Sequence, residues 1–250
     1  MLNKRALLAT SALAVIAGVG QAQAGNDYYV SLFGGANWQI QNNHATQRSS
    51  FTTGPYQVSV TTGYDLKSKT GFVIGGALGK HLDSWVKGLR VDVEASYRSN
   101  DVGGDWFANT SINPIFAGTQ GGKIDATEST FSVLANVWYD VDVGQKWVPY
   151  IGGGAGWART KVDGAFITTF TSSGPVLRGH GFSHQESGFA WQLGAGLNYE
   201  IQDGIHLGLG YRYFRGPDLK NDIFVGKNHL PVNFDNENHS VTVNLTVDTN

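Results

Sequence analysis

Residues 189–201, "FAWQLGAGLNYEI", place Phe189, Trp191, Leu193, Ala195, Leu197, Tyr199 and Ile201 at every second position, separated by Ala190, Gln192, Gly194, Gly196, Asn198 and Glu200. A period of two marks an extended strand whose successive side chains face opposite ways. Runs of this length match the roughly 9–11 residues that a tilted strand needs to cross a bilayer. The pattern recurs in "LRVDVEASYR", where Leu89, Val91, Val93, Ala95 and Tyr97 alternate with Arg90, Asp92, Glu94, Ser96 and Arg98. It recurs at 28–38, 131–141, 149–157, 205–213 and 240–247, and more loosely at 71–82. Eight strands are expected, each with one solvent on its apolar side and another on its polar side.

The first residues follow a different rule. Lys4 and Arg5 precede an apolar run from Ala6 to Gly20, and Ala22-Gln23-Ala24 fits a small-x-small cleavage site. Residues 1–24 are read as a cleaved secretory signal, with 25–250 as the mature domain. No apolar 20-mer suited to a transmembrane helix occurs. Without Lys4 and Arg5, Lys+Arg falls from 18 to 16 against 20 Asp+Glu, so the mature net charge is -4 and nucleic acid is not an expected partner. Cysteine is absent, which removes disulfides and thiolate metal sites. Charged residues are only 15% beside 34 glycines and 12% aromatics, a balance that suits membrane strands better than a soluble sandwich.

The connections alternate in length. Those around 82–85, 142–147 and 202–204 are turn-like, whereas 41–69, 100–124, 163–184 and 215–237 are long and rich in Asn, Gly, Ser, Thr and Asp. Long structureless links would be unusual in a compact soluble domain, but outer-membrane barrels pair short periplasmic turns with long extracellular loops. Aromatic residues form two belts. Trp38, Tyr97, Trp157, Trp191, Tyr211 and Tyr213 lie toward the outer strand ends, and Trp85, Tyr139, Trp147 and Tyr199 toward the inner ends. The expected fold is all-β: a single antiparallel transmembrane β-barrel of eight strands, or ten if parts of the long first or third connection, 41–69 or 163–184, pair.

The stretches "YYVSLFGGANW", "VPYIGGGAGWA", "FAWQLGAGLNYEI", "HLGLGYRYF" and "NHSVTVNLTV" resemble the small outer-membrane β-barrels of Gram-negative bacteria, the opacity-like porin family related to the transmembrane domain of outer membrane protein A. The resemblance spans the mature chain. It implies bacterial outer-membrane localisation, lipid and lipopolysaccharide as surroundings, the barrel-assembly machinery as a partner, and a host or surface ligand met through the loops. Members commonly end on an aromatic residue, whereas this chain closes Val247-Asp248-Thr249-Asn250, so its assembly signal is expected to be weakened or to lie upstream.

Inside such a barrel, Arg90, Asp92, Glu94, Arg98, Glu200 and Arg212 are read as a polar network. Asp92 and Glu94 would pair with Arg90 and Arg98 on their own strand and with Arg212 across the lumen, because unpaired charge there is costly. The competing reading, a carboxylate pair for glycoside chemistry, fails because an eight-stranded lumen only just holds side chains. Gly152, Gly154, Gly156, Gly194, Gly196, Gly208 and Gly210 take the inward parity on three successive strands, leaving space that the long charged groups of the opposite wall are expected to fill. The alternative is a water-filled path and a small, low-conductance porin.

Other constellations are weaker. His180 and His184 have metal-chelating spacing only on a helix, which nothing in that Gly-rich stretch predicts. His239 and Ser240 are adjacent on a strand and so point apart, unable to act as base and nucleophile. "GGALGKH" fails the phosphate-loop pattern at Ile74 and His81. No catalytic, cofactor or metal set is expected. The function expected is a non-enzymatic surface barrel serving membrane integrity, adhesion or host contact. A lipid A-modifying or proteolytic enzyme is a further alternative, and the family resemblance also implies a haem-binding surface protein, served by a loop histidine such as His44 or His180.

Overall fold

A computed structural model describes residues 27–39, 42–113, 115–170, 176–225, 228–234 and 236–249. The segment read as a signal, 1–24, lies outside the described residues. Among the described residues there are twelve strands: β1 (Tyr28–Gln39), β2 (Asn42–Thr53), β3 (Tyr56–Ser68), β4 (Gly71–His81), β5 (Leu89–Asn113), β6 (Phe116–Asp140), β7 (Trp147–Phe170), β8 (Val176–Gln202), β9 (Ile205–Arg215), β10 (Leu219–Val225), β11 (Asn228–Phe234) and β12 (Glu237–Thr249).

Eight of them close a ring in the order β5-β4-β1-β12-β9-β8-β7-β6, with β6 returning to β5. Every neighbouring pair is antiparallel, and β1 joins β12 over the whole stretch from Tyr28↔Thr249 to Gln39↔Asn238. Closure pairs the ring's backbone groups without leaving an edge in lipid. Alternation sets the two surfaces. Leu78, Val93, Phe189, Leu193 and Leu209 are more than half exposed on the outside, while Glu94, Ser96, Arg98, Ser132 and Asn136 are buried inside. This inversion of the usual rule is the mark of a barrel whose outer solvent is hydrocarbon. The loosely patterned 71–81 segment is resolved by the same test: Phe72, Ile74 and Leu78 face out, and Val73 and Ala77 face in.

The four long connections are not structureless, which corrects the sequence reading. β5, β6, β7 and β8 run 25, 25, 24 and 27 residues, more than twice the crossing length, and rise beyond the membrane as two hairpins. β3 takes the place of β4 beside the upper half of β5, with register Gln57↔Asn113 to Ser68↔Val102, and β2 pairs with β3. β10 and β11 form a separate hairpin. These extensions are solvated on their outer face and keep a small apolar core inside, in which Leu66, Val102 and Ile124 are joined by Tyr64, Trp106, Ala126 and Phe182. Thr favours the extended backbone and β-propensity yields to cross-strand context, so polar composition did not exclude strand.

Candidate functional site

The membrane-spanning lumen is filled by side chains stacked in layers. Its central contact joins β9 to β5: Arg212 Nη1 donates to Glu94 Oε2 in a salt bridge whose partners are both buried. Glu94 Oε2 also accepts from Gln192 Nε2 at 3.1 Å and Asn136 Nδ2 at 3.4 Å. One layer toward the periplasm, Asp92 accepts from Tyr29 Oη at 2.8 Å, Trp138 Nε1 at 3.0 Å and Asn136 Nδ2 at 2.6 Å, so neutral donors satisfy its charge.

The other ion partners differ from the expected set. Arg90 pairs with Asp140 on β6 at 2.8 Å, not with Asp92 or Glu94. Among the described residues Arg98 has no carboxylate within salt-bridge distance; its Nη1 donates to Ser96 Oγ and Ser132 Oγ, both at 3.0 Å, and Nε and Nη2 find no hydrogen-bond partner there. Glu200 sits at the periplasmic end of β8, where its N–H donates to Lys146 O, and among the described residues its side chain shares no hydrogen bond or ion pair with the network. Register explains the changes. Charges on one strand are spaced along the barrel, whereas residues on neighbouring strands stand opposite or diagonal to one another, as Arg90↔Trp138 places Asp140 one diagonal away.

Each inward arginine also lies on an aromatic ring. The Arg98 guanidinium is 3.8 Å from the Phe214 centroid, Arg212 is 4.0 Å from Phe33, and Arg90 is 5.4 Å from both Tyr29 and Tyr150. Such stacking is worth about 0.5–2 kcal/mol where water is excluded.

These aromatics, absent from the sequence reading, also change the role of the glycines. A Cβ on Gly194 would stand 3.0 Å from Trp138, and one on Gly196 or Gly210 would stand 2.5 Å from the Tyr150 hydroxyl. A Cβ on Gly152 would meet Trp138, on Gly154 Asn136, on Gly156 the β6 backbone at Val133, and on Gly208 Asn198. The glycine surface is therefore covered largely by rings and amides of nearby strands, not by charged groups crossing from the opposite wall. The missed signal was parity, since Tyr29, Phe33, Trp138, Tyr150 and Phe214 all occupy inward positions of their strands.

Toward the outside, an amide layer crosses the lumen. Asn37 Nδ2 donates to Asn100 Oδ1 at 2.8 Å and Asn238 Oδ1 at 2.7 Å. Asn238 donates to Asn236 at 2.6 Å, Asn236 to Thr160 at 2.6 Å, and Ser240 to Asn37 at 2.7 Å. Above it, Gln39 donates to Glu128 at 2.7 Å. At the periplasmic mouth, the two Asp248 oxygens face His81 Nε2 at 3.2 Å and His206 Nε2 at 3.3 Å, joining β12 to β4 and β9.

On the outer surface, Trp147 packs on Tyr199 at 4.6 Å and Trp191 on Tyr213 at 5.3 Å. Tyr97 Oη donates to Ser129 Oγ at 2.9 Å, and Trp157 and Tyr211 face outward. Trp85 stands 82% exposed in the β4–β5 turn. His239 joins this surface beside Trp38, while Ser240 points inward. The side chains of His44 and His180 lie outside the described residues, and His184 faces Glu186 at 3.3 Å. Among the described residues no group of three or more His, Cys, Asp or Glu is placed to hold a metal ion.

An apolar outer wall, aromatic belts and a hydrogen-bonded polar interior define a small transmembrane β-barrel. A family model, the outer membrane protein beta-barrel domain, matches residues 6–246. The chain belongs to that family and is a bacterial outer-membrane protein. No curated protein matches it. Among solved structures it is similar to Neisserial surface protein A, with 17% identity over 88% of this chain and 96% of that one and a TM-score of 0.45. It is also similar to OprG from Pseudomonas aeruginosa, with 12% identity over 89% and 97% and a TM-score of 0.47. Ail of Yersinia pestis gives 13% identity over 89% and 97%, with a TM-score of 0.34, in a complex with the heparin analogue sucrose octasulfate.

Proposed function

We propose that the protein is a non-enzymatic surface barrel whose filled lumen serves as a rigid membrane anchor for an extracellular β-structure that makes host or surface contacts and supports membrane integrity. The observation that carries this reading is the division of the long strands. The lower parts of β5 to β8 close the ring, and their upper parts, with β2 and β3, continue as a hydrogen-bonded sheet well beyond it. Ordered strands held far outside the bilayer present a fixed surface to a partner at little entropic cost on binding. In this proposal outer-membrane lipid and lipopolysaccharide surround the barrel, and the barrel-assembly machinery inserts it.

The test replaces residues 105–123, the upper part of the β5–β6 hairpin, by a two-residue turn and compares adhesion of intact bacteria to host cells and matrix. Reduced adhesion with unchanged surface amount is the expected result; unchanged adhesion after trimming of both long hairpins overturns the reading. The small-porin alternative is separated by planar-bilayer recording, where steady open steps from the unmodified protein would replace the filled-lumen anchor by a channel.

A further inference from the structure

His239 lies on the lipid-facing side of β12, at the outer end of the apolar band, and is flanked by rings from the two neighbouring strands. Trp38 on β1 stacks beside it at 6.4 Å with planes 12° apart, Tyr213 on β9 meets it edge-on at 5.2 Å, and Tyr211 lies at 5.9 Å. Trp191 on β8 extends the shelf through Tyr213 at 5.3 Å. Direct cross-strand pairing, Trp38↔His239 and His239↔Tyr213, fixes these neighbours.

Hydrogen bonding fixes the imidazole's polarity. Tyr211 Oη and His239 Nδ1 are 2.5 Å apart. A phenol is the stronger donor and a neutral imidazole nitrogen the stronger acceptor, so Tyr211 donates to Nδ1 and the ring proton resides on Nε2. Protonation of the ring keeps the Nε2 proton. In either state His239 presents an N–H away from Tyr211, and no described residue accepts from it. A donor on a membrane-facing surface needs an acceptor from the surroundings. Farther out on β9, Arg215 is committed to Glu237 and to Asp218 at 3.4 Å.

We propose that Trp38, His239, Tyr213 and Trp191 form a binding shelf for the phosphorylated sugar headgroup of the outer-leaflet glycolipid, with His239 Nε2–H donating to a phosphate oxygen and the flat rings covering the sugar. The position of the shelf selects a membrane lipid, since it sits on the wall that faces the bilayer. Its composition selects a glycolipid over a phospholipid, because the near-parallel Trp38 and His239 rings, walled by Tyr213, suit a sugar ring and one N–H suits one phosphate oxygen. The inference rests on the lipid partnership proposed above and assigns it a place.

The test is native mass spectrometry of the full folded barrel with diphosphorylated lipid A, dephosphorylated lipid A or phosphatidylglycerol. The unmodified protein is expected to retain diphosphorylated lipid A about tenfold better than the dephosphorylated form, the difference made by one hydrogen bond to a charged group. His239→Phe keeps the ring and removes the donor, and should abolish that preference. Tyr211→Phe, which releases the tautomer, should reduce it. Phe131→Leu, on the opposite wall, should leave it intact, and heat-modifiable gel mobility verifies that each variant is folded. A preference that persists in His239→Phe, or equal retention of phosphatidylglycerol, overturns the proposal. Failure of every lipid to remain bound would instead defeat the underlying partnership.

Discussion

Arg212 and Glu94 meet across the full width of the lumen. β9 and β5 lie four strands apart whichever way the ring is followed, so the salt bridge ties opposite walls together. Removing one partner strands the other charge among buried groups. Glu94→Leu and Arg212→Met are each expected to cost about 3–5 kcal/mol, whereas the double variant Glu94→Leu/Arg212→Met recovers most of that loss. Urea unfolding in micelles, followed by tryptophan fluorescence, measures all three. Additive losses in the double variant would show that the two residues act separately.

Trp138 covers Gly152 and Gly194 while its indole N–H holds Asp92 at 3.0 Å. Trp138→Ala should destabilise the barrel by about 3–5 kcal/mol through the cavity it leaves. Gly194→Ala should cost about 1–3 kcal/mol in the unmodified protein and clearly less beside Trp138→Ala, because the ring it crowds is gone. Equal costs in the two backgrounds would mean that the tryptophan does not set the glycine requirement.

Arg98 is 2% exposed, and among the described residues its Nε and Nη2 have no hydrogen-bond partners. A buried cation in that state opposes folding, and its stack on Phe214 offsets only part of the cost. Arg98→Met, similar in length and free of charge, is expected to unfold at an equal or higher urea concentration. A lower midpoint would reveal a partner for the guanidinium in the folded barrel.

Asp248 serves two histidines, His81 and His206, and its backbone N–H donates to Gly204 O at 2.8 Å. The carboxylate therefore bolts the last strand to both sides of the barrel seam. Asp248→Ala should lower the temperature at which the folded band converts to the unfolded one on a denaturing gel, while Asp203→Ala, in the neighbouring turn, should not.

Asp142, in the periplasmic turn between β6 and β7, titrates below the usual carboxylate range, because Lys87 Nζ donates to it at 2.6 Å and Gly144 N–H and the lysine charge add to the effect. A depressed acid contributes stability above its unfolded value and loses it as pH falls through the folded one, so any effect belongs to the acid side. Both groups are exposed, and the readout is local: carbon NMR titration of Asp142 should move up toward the ordinary range in Lys87→Met. An unchanged midpoint would remove Lys87 as the cause.

The sequence by itself determined which residues face lipid and which face the lumen. Side-chain direction alternates with a fixed period of two, so Val91 and Asp92, or Leu209 and Gly210, declare their faces without knowledge of any neighbour. The count of eight crossings and the outward placement of Trp147, Trp157 and Tyr211 followed from the same local rule. Tertiary structure alone decided which lumen groups meet. That Arg90 takes Asp140, that Arg98 lies on Phe214 and that Trp138 covers Gly194 depend on the stagger between strands and on the width of the closed ring, which are set by the whole barrel. The extracellular strands were hidden for a related reason. The outer halves of β5 to β8 no longer separate lipid from lumen, so their sequences lose the strict alternation that marks a membrane strand, and only cross-strand hydrogen bonding reveals them.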